Sequence, residues 1–323
     1  MADTPIVKVT RAVPGSLSVP GAAIETLGEG LPDRGALLAF VEGASVLVSM
    51  HTDNVNDELL ERAGPSLVGV CNYAVGFNNI DLTACASRGV AVSNTPDAVT
   101  EGTADIAWAL ILAAARRVVE GDHFVRSGAW QRAGVLGMGD FLGRDLTGRT
   151  LLIVGAGRIG LAVAKRGLAW GMRTLYVARS RHWEFELAPI AAERVSLEEG
   201  LDRADVVSVH TPLTEETGHL IGPAELARLK RTAILVNTAR GPVVDEEALT
   251  AALESNQIFA AGLDVLEREP AIGQRLAALR NVVLTPHIGS AEQRYREEMT
   301  GMVAANAIAM LKGERPPNEV RTP

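Results

Sequence analysis

Three segments in the last third of the sequence each hold one reactive side chain among small or apolar residues. Arg240 lies in "NTARGPVVDEEAL", Glu269 in "AGLDVLEREP" and His287 in "LTPHIGSA". An arginine is a permanent planar cation that can hold a carboxylate and polarise a carbonyl group. A histidine can donate a proton near neutral pH when a carboxylate stabilises its charged form. Together the three side chains could hold an anionic substrate and give it a proton, which would suit a reduction if a hydride donor binds nearby.

Taken singly, each of these residues also has an ordinary structural explanation. The arginine would suit a surface ion pair, the glutamate a loop before proline, and the histidine a buried site with satisfied hydrogen bonds. The surrounding sequence therefore has to show whether these three residues have a catalytic or a structural role.

A glycine-rich loop is the candidate site for the hydride donor. The segment "GAGRIG" places Gly155, Gly157 and Gly160 at GxGxxG spacing between the apolar strand "LLIV" and a helical stretch. The first glycine permits a tight turn, the second lets the backbone approach a pyrophosphate, and the third lets helix and strand pack closely. The phosphates would bind the N–H groups at the helix start, where Arg158 and Ile159 follow. The loop predicts dinucleotide binding.

The end of the next strand, "LYVARSR", bears on the choice of dinucleotide. An NAD site usually offers an acid to the adenosine ribose here, but position 178 is alanine, followed by Arg179, Ser180 and Arg181. Positive charge without a carboxylate suits a 2′-phosphate. The segment predicts that NADP(H) is preferred and that NAD(H) remains possible, with two solvated loop arginines as the alternative.

The elements that must position these residues follow an alternating strand and helix pattern. One alternation runs from "IVKV" to "VAVS", and a second from "TLLIV" to "VVLTPH". The pattern predicts an α/β protein with two Rossmann-like doubly wound parallel sheets. A single long helix is expected from Thr100 over "TEGTADIAWALILAAARRVVEGD", with an irregular patch at 127–149 and a last helix over 290–313. We expect a discontinuous substrate domain, 1–99 with 289–323, and a cofactor domain at 100–288.

Bulk properties exclude several classes of protein. The 323 residues have a net charge of −8 and no basic stripe, which argues against nucleic-acid binding. The N-terminus does not resemble a secretory signal and no 18-residue apolar window would span a membrane, so we expect a cytoplasmic protein. Cys71 and Cys85 lack metal-site spacing, and we expect no metal.

The motifs together resemble the D-isomer-specific 2-hydroxyacid dehydrogenase family, most of all its glyoxylate and hydroxypyruvate reductases. The three reactive segments, "GAGRIG" and the loop "NYAVGFNNID" occur in order, and the match spans about 45–313. The resemblance implies a substrate cleft between two domains, a homodimer, catalysis by Arg240, Glu269 and His287, and reduction of a small 2-keto acid with His287 as proton donor. Those reductases favour NADPH and carry Arg-Thr-Arg, or a similar run, where this chain has Arg179–Arg181.

The resemblance also implies further binding residues. Backbone N–H groups of Val75 and Gly76 would bind the substrate carboxylate, beside Arg240 and His287. His51 falls where glyoxylate reductases tend to have an apolar pocket residue, which favours a hydroxylated substrate unless the histidine is simply exposed. On the cofactor side, the matching positions are Thr103, Thr238, Ala239, Asp264 and Gly289.

Other functions remain open within this resemblance and beyond it. A 2-ketogluconate reductase, a phosphite dehydrogenase and a short-form phosphoglycerate dehydrogenase are alternatives, although "NYAVGF" lacks the lysine that phosphite dehydrogenases carry there. A dinucleotide-sensing corepressor-like scaffold keeps the same three residues. The lack of low-complexity extensions argues against that scaffold.

Overall fold

A computed structural model describes residues 4–320 and divides the chain into two compact units. One unit combines the chain up to Val99 with the chain from Ser290 onward, and the other is Thr100–Gly289. The boundary lies one residue later than the expected position 289. Gly289 stays with the second unit because its backbone N–H donates to Asp264 Oδ2 at 2.8 Å.

The first unit is built on a five-stranded parallel sheet with the order β2-β1-β3-β4-β5. Its strands are β1 Ile6–Val9, β2 Ala23–Thr26, β3 Val46–Ser49, β4 Gly69–Asn72 and β5 Ala91–Ser93. Its helices are α1 Arg34–Phe40, α2 Asp57–Ala63, α3 Leu82–Ser87 and a C-terminal helix Gln293–Leu311. Every residue of β3 and β4 is buried, as expected for parallel strands that are covered on both faces.

The C-terminal helix explains why this unit is discontinuous. Met299, Val303 and Met310 pack with the apolar side chains of β1 and β3 in one core cluster. A side chain at Gly69 in β4 would collide with the Met310 sulfur, so the helix lies close against the sheet. The C-terminal helix and the N-terminal strands therefore share one hydrophobic core.

The second unit is built on a seven-stranded parallel sheet with the order β12-β11-β10-β9-β6-β7-β8. Its strands are β6 Thr150–Val154, β7 Arg173–Val177, β8 Glu193–Arg194, β9 Val206–Val209, β10 Ile234–Asn237, β11 Ala260–Leu263 and β12 Val282–Leu284. Its helices are α4 Thr100–Ala115, α5 Val118–Arg126, α6 Ala129–Ala133, α7 Arg158–Ala169, α8 Trp183–Glu186, α9 Leu197–Arg203, α10 Pro223–Arg228, α11 Glu246–Glu254 and α12 Gln274–Ala277. The predicted fold class is confirmed.

The strand order fixes where a ligand would bind in the second unit. After β6 the chain winds outward through β7 and β8, then returns to β9 and winds the other way through β12. The crevice at the carboxyl ends of β6 and β9 is the switch point at which such sheets bind ligands. The glycine-rich loop follows β6 and stands at this point.

The long helix expected from Thr100 is divided in two. Helix α4 ends at Ala115 because Arg117 adopts the left-handed conformation, with φ of 53°, before α5 begins. The Arg117 guanidinium donates to both oxygens of Glu120, at 2.7 and 2.8 Å, which stabilises the turn. The patch expected to be irregular also contains the short helix α6.

Within residues 4–320, none of the helices is both long enough and apolar enough to cross a lipid bilayer.

Candidate active site

The glycine loop has the geometry that a pyrophosphate site requires. Gly155 has a φ of 105°, and a side chain on it would lie 2.7 Å from the backbone of His210. A side chain on Gly160 would collide with the carbonyl oxygen of Gly155, whereas the space around the α-carbon of Gly157 is open. No side chain caps the start of α7 at Gly157, so its first-turn N–H groups suit a phosphate. These residues fit a bound dinucleotide.

The two arginines after β7 differ in their surroundings. Arg179 is exposed, and no ion pair holds its side chain among the described residues. Arg181 forms an ion pair with Glu186, and its guanidinium lies 4.2 Å from the centre of the Trp183 ring. Both arginines are exposed to solvent, and Arg181 differs from Arg179 by its ion pair with Glu186.

A histidine and a carboxylate come together at the ends of β11 and β12. His287 Nδ1 lies 2.7 Å from Glu269 Oε2, while Glu269 Oε1 accepts a hydrogen bond from the Leu266 N–H at 3.0 Å. His287 has a φ of 53°, and its own N–H donates to the carbonyl of Asp264 at 2.8 Å. Because Nδ1 faces the carboxylate, Glu269 can fix the orientation and the tautomer of the ring.

Asp264 holds the loop that carries His287. Its carboxylate is buried and accepts hydrogen bonds from the Thr285 hydroxyl at 2.7 Å and from the N–H groups of Ile288 and Gly289 at 2.8 Å each. Burial raises the pKa of the Asp264 carboxyl above its ordinary value. An added side chain on Gly289 would lie 3.3 Å from the Thr103 hydroxyl, so Thr103, Asp264 and Gly289 are neighbours.

Arg240 follows β10 in a turn that an asparagine side chain shapes. Asn237 Nδ2 donates to the Arg240 carbonyl at 2.9 Å, and Asn237 Oδ1 accepts from the Ala239 N–H at 3.0 Å. Burial lowers the pKa of the Arg240 guanidinium, an effect that the charge of Glu269 opposes, and the group stays a cation at neutral pH. A side chain on Gly241 would collide with the Leu266 backbone, so the Arg240 turn packs directly on the segment leading to Glu269.

A buried hydroxyl beside this turn also points to a bound group. Thr238 is 7% exposed, and its hydroxyl has no hydrogen-bond partner within residues 4–320. A buried polar atom normally finds a partner, so an orphaned hydroxyl fits contact with a cofactor. Thr238 and Ala239 directly follow the carboxyl end of β10, at positions where the family resemblance implies contact with the nicotinamide.

The remaining predicted residues belong to the first unit, at the carboxyl ends of β3 and β4. His51 follows β3, and Val75 and Gly76 follow β4. Asn94 Nδ2 donates to the Val75 carbonyl and Asn72 Nδ2 to the Gly76 carbonyl, both at 2.7 Å. The two asparagine amides thus anchor this loop by its carbonyl groups. Backbone N–H groups of a loop fixed in this way suit the binding of an anion.

Comparison with known families decides the relationship. Residues 108–289 match the model of the D-isomer specific 2-hydroxyacid dehydrogenase, NAD binding domain. The chain belongs to this family. It is an NAD(P)-dependent dehydrogenase, and the matched residues lie in the second unit, which contains the glycine loop.

Individual relatives of this dehydrogenase are close along most of the chain. It is 51% identical over 291 residues to a glyoxylate reductase of Thermococcus litoralis, covering 90% of this chain and 87% of the relative. It is 47% identical over 327 residues to the glyoxylate reductase of Thermococcus kodakarensis, covering 98% and 96%. A solved NADPH-dependent glyoxylate/hydroxypyruvate reductase from Sinorhizobium meliloti, in complex with NADP and malonate, has a TM-score of 0.82 and 29% identity, covering 98% and 97%.

Three residues of the dehydrogenase site were not singled out from the sequence. Asn237, the last residue of β10, shapes the Arg240 turn. The feature of the sequence that could have pointed to it is an asparagine at the end of a predicted strand, directly before "TAR". His210 backs the glycine loop; burial lowers the pKa of His210 to about 3, and its Nε2 lies 2.8 Å from the Ser208 hydroxyl. Near the proposed adenosine end of the site, Glu186 binds Arg181 and the Tyr176 hydroxyl, contacts that depend on the turn between β7 and α8.

Proposed function

We propose that the protein reduces small 2-keto acids, glyoxylate and hydroxypyruvate, to 2-hydroxy acids with NADPH. The observation that carries this proposal is the pair of His287 and Glu269, 2.7 Å apart, with the Arg240 turn packed on the segment that leads to Glu269. The identity of about one half to two glyoxylate reductases supports the choice of substrate class.

Each residue has a role in the proposed reaction. Arg240 holds the substrate carboxylate and polarises the keto carbonyl, as a rigid cation can. The N–H groups of Val75 and Gly76 bind the same carboxylate, and His51 lines the substrate pocket. His287 gives a proton to the carbonyl oxygen from Nε2, because Nδ1 faces Glu269. The reduced nicotinamide, when bound, supplies the hydride.

The preference for NADPH over NADH is part of the proposal. No carboxylate stands at Ala178 to bind a ribose hydroxyl or repel a 2′-phosphate, and Arg179, Ser180 and Arg181 follow it. The Sinorhizobium meliloti reductase, which is NADPH-dependent, supports this preference. Thr103, Thr238, Ala239, Asp264 and Gly289 are the proposed contacts of the nicotinamide half.

Oxidation of NADPH and NADH with a panel of keto acids tests the function. We expect turnover with glyoxylate and hydroxypyruvate, weaker turnover with pyruvate and 2-ketogluconate, and a higher kcat/KM for NADPH than for NADH. Reverse assays with phosphite and 3-phosphoglycerate address the related dehydrogenases. Cofactor binding without turnover of any substrate would contradict the proposal and favour the scaffold function.

We also propose a homodimer. The second unit exposes large apolar side chains between residues 130 and 142, including Val135 at 98%, Met138 at 94% and Leu142 at 64%. Exposed apolar groups this close together are typical of a surface that associates. Light scattering should give about twice the chain mass of 34.1 kDa, and Val135→Asp with Met138→Asp should lower it. A wild-type mass of one chain would contradict the dimer.

A further inference from the structure

The Glu186 carboxylate binds two groups at once, a buried tyrosine of the second unit and the side chain of Arg181. The Tyr176 hydroxyl, on a ring fully buried in β7, donates to Glu186 Oε1 at 2.6 Å. Arg181 Nε lies 3.1 Å from each carboxylate oxygen, and Arg181 Nη2 donates to Oε2. A buried strand therefore holds an exposed arginine through one carboxylate.

The charges of this pair are unevenly exposed. The Glu186 side chain is 14% exposed and the Arg181 side chain 57%, so the carboxylate is sheltered and the guanidinium faces solvent. Hydrogen bonds from Arg181 and Tyr176 lower the pKa of the Glu186 carboxyl to about 2. Glu186 is therefore a carboxylate at neutral pH, the charge state in which it pairs with Arg181.

The arrangement leaves part of the guanidinium for another anion. The pair uses Nε and Nη2, and Nη1 takes no part in it. An arginine has five N–H donors in a fixed plane, so it can bind a carboxylate at one edge and a phosphate at another. The Trp183 ring, 4.2 Å from the guanidinium, restrains that plane further.

The backbone around Arg181 is held in the same way. Arg194 Nη2 donates to the carbonyls of Ala178 and Arg179, both at 2.9 Å, and the His182 N–H donates to the Tyr176 hydroxyl at 3.1 Å. The segment after β7, where the adenosine ribose binds in such folds, is thus held by hydrogen bonds within the protein.

We propose that Glu186 is a positioning residue for the 2′-phosphate of NADPH, acting through Arg181. An unrestrained surface arginine loses rotamer freedom when it binds an anion, whereas an arginine already held by a sheltered carboxylate loses little. We expect this benefit to exceed the repulsion between Glu186 and the phosphate, because the ion pair with Arg181 offsets the charge of the carboxylate. The inference rests on the proposed preference for NADPH.

Binding of 2′,5′-ADP and 5′-AMP, measured by calorimetry, tests the inference, because the two ligands differ only by the 2′-phosphate. We expect Glu186→Gln to weaken 2′,5′-ADP binding by about three- to tenfold and to leave 5′-AMP binding within about twofold. Tyr176→Phe should cause a smaller change in the same direction. Retained 5′-AMP binding shows that each variant is folded.

A matched control lies two residues away. Glu184 is on the same short helix and faces His182 at 3.3 Å rather than Arg181, so Glu184→Gln should leave both affinities unchanged. Arg181→Ala should weaken 2′,5′-ADP binding at least as much as Glu186→Gln. Adding Glu186→Gln to Arg181→Ala should then weaken 2′,5′-ADP binding no further, because the favourable effect of Glu186 requires that arginine.

Two different failures can be told apart. If the wild-type protein binds 2′,5′-ADP no better than 5′-AMP, the proposed preference for NADPH is wrong. The proposed role of Glu186 is then wrong as well, because it rests on that preference. If Arg181→Ala weakens 2′,5′-ADP binding but Glu186→Gln leaves it unchanged or strengthens it, the cofactor preference stands and the positioning role is wrong.

Discussion

His287→Ala is expected to lower kcat by at least about a hundredfold while leaving the affinity for NADPH close to that of the wild type. The alanine removes the group that would protonate the carbonyl oxygen, and water would have to supply the proton instead. The loop itself should persist, because the Asp264 carboxylate accepts the N–H groups of Ile288 and Gly289 without help from the imidazole. Steady-state kinetics with glyoxylate and fluorescence titration with NADPH measure the two quantities.

The partner of His287 provides an internal check. Glu269→Gln should also lower kcat, and the double variant should be little slower than His287→Ala alone, since Glu269 acts on the proton donor. His123→Ala is the matched control, because His123 is exposed on α5. Near-normal turnover by His287→Ala would remove His287 from the mechanism.

Arg240→Lys is expected to lower kcat/KM for the keto acid by about two to three orders of magnitude. Lysine keeps the positive charge but loses the planar fork that binds a carboxylate at two points. The substitution also removes the hydrogen bond from Arg240 Nη1 to the Ala239 carbonyl, 2.7 Å long, which helps to orient the side chain. Kinetics with varied glyoxylate at saturating NADPH measure the effect.

The opposite end of the same strand supplies the control. Arg231 precedes β10 as Arg240 follows it, and it is exposed, so Arg231→Lys should leave kcat/KM unchanged. NADPH affinity should be similar in both variants. If Arg240→Lys kept more than about a third of the wild-type kcat/KM, charge alone would suffice and bidentate binding of the carboxylate would be wrong.

Much of the architecture was predictable because it depends on local pattern. Buried parallel strands such as "VVSV" and "ILVN" are nearly continuous apolar runs, and their alternation with helical stretches specifies an α/β sheet. The division of the long helix was missed because an arginine, rather than a glycine, adopts the left-handed conformation at position 117. Glu120 stabilises that turn, and a propensity pattern does not register a single side-chain pair.

The sequence alone determined the residue types and spacings on which the proposed chemistry rests. The glycine spacing of "GAGRIG", the absence of an acid at Ala178 and the types of Arg240, Glu269 and His287 are properties of residues and short segments. The tertiary structure decided how those groups are held. Asp264 anchors the His287 loop because the sheet places the ends of β11 and β12 side by side. Glu186 reaches both Arg181 and the Tyr176 hydroxyl because the chain turns back after β7 into the short helix α8.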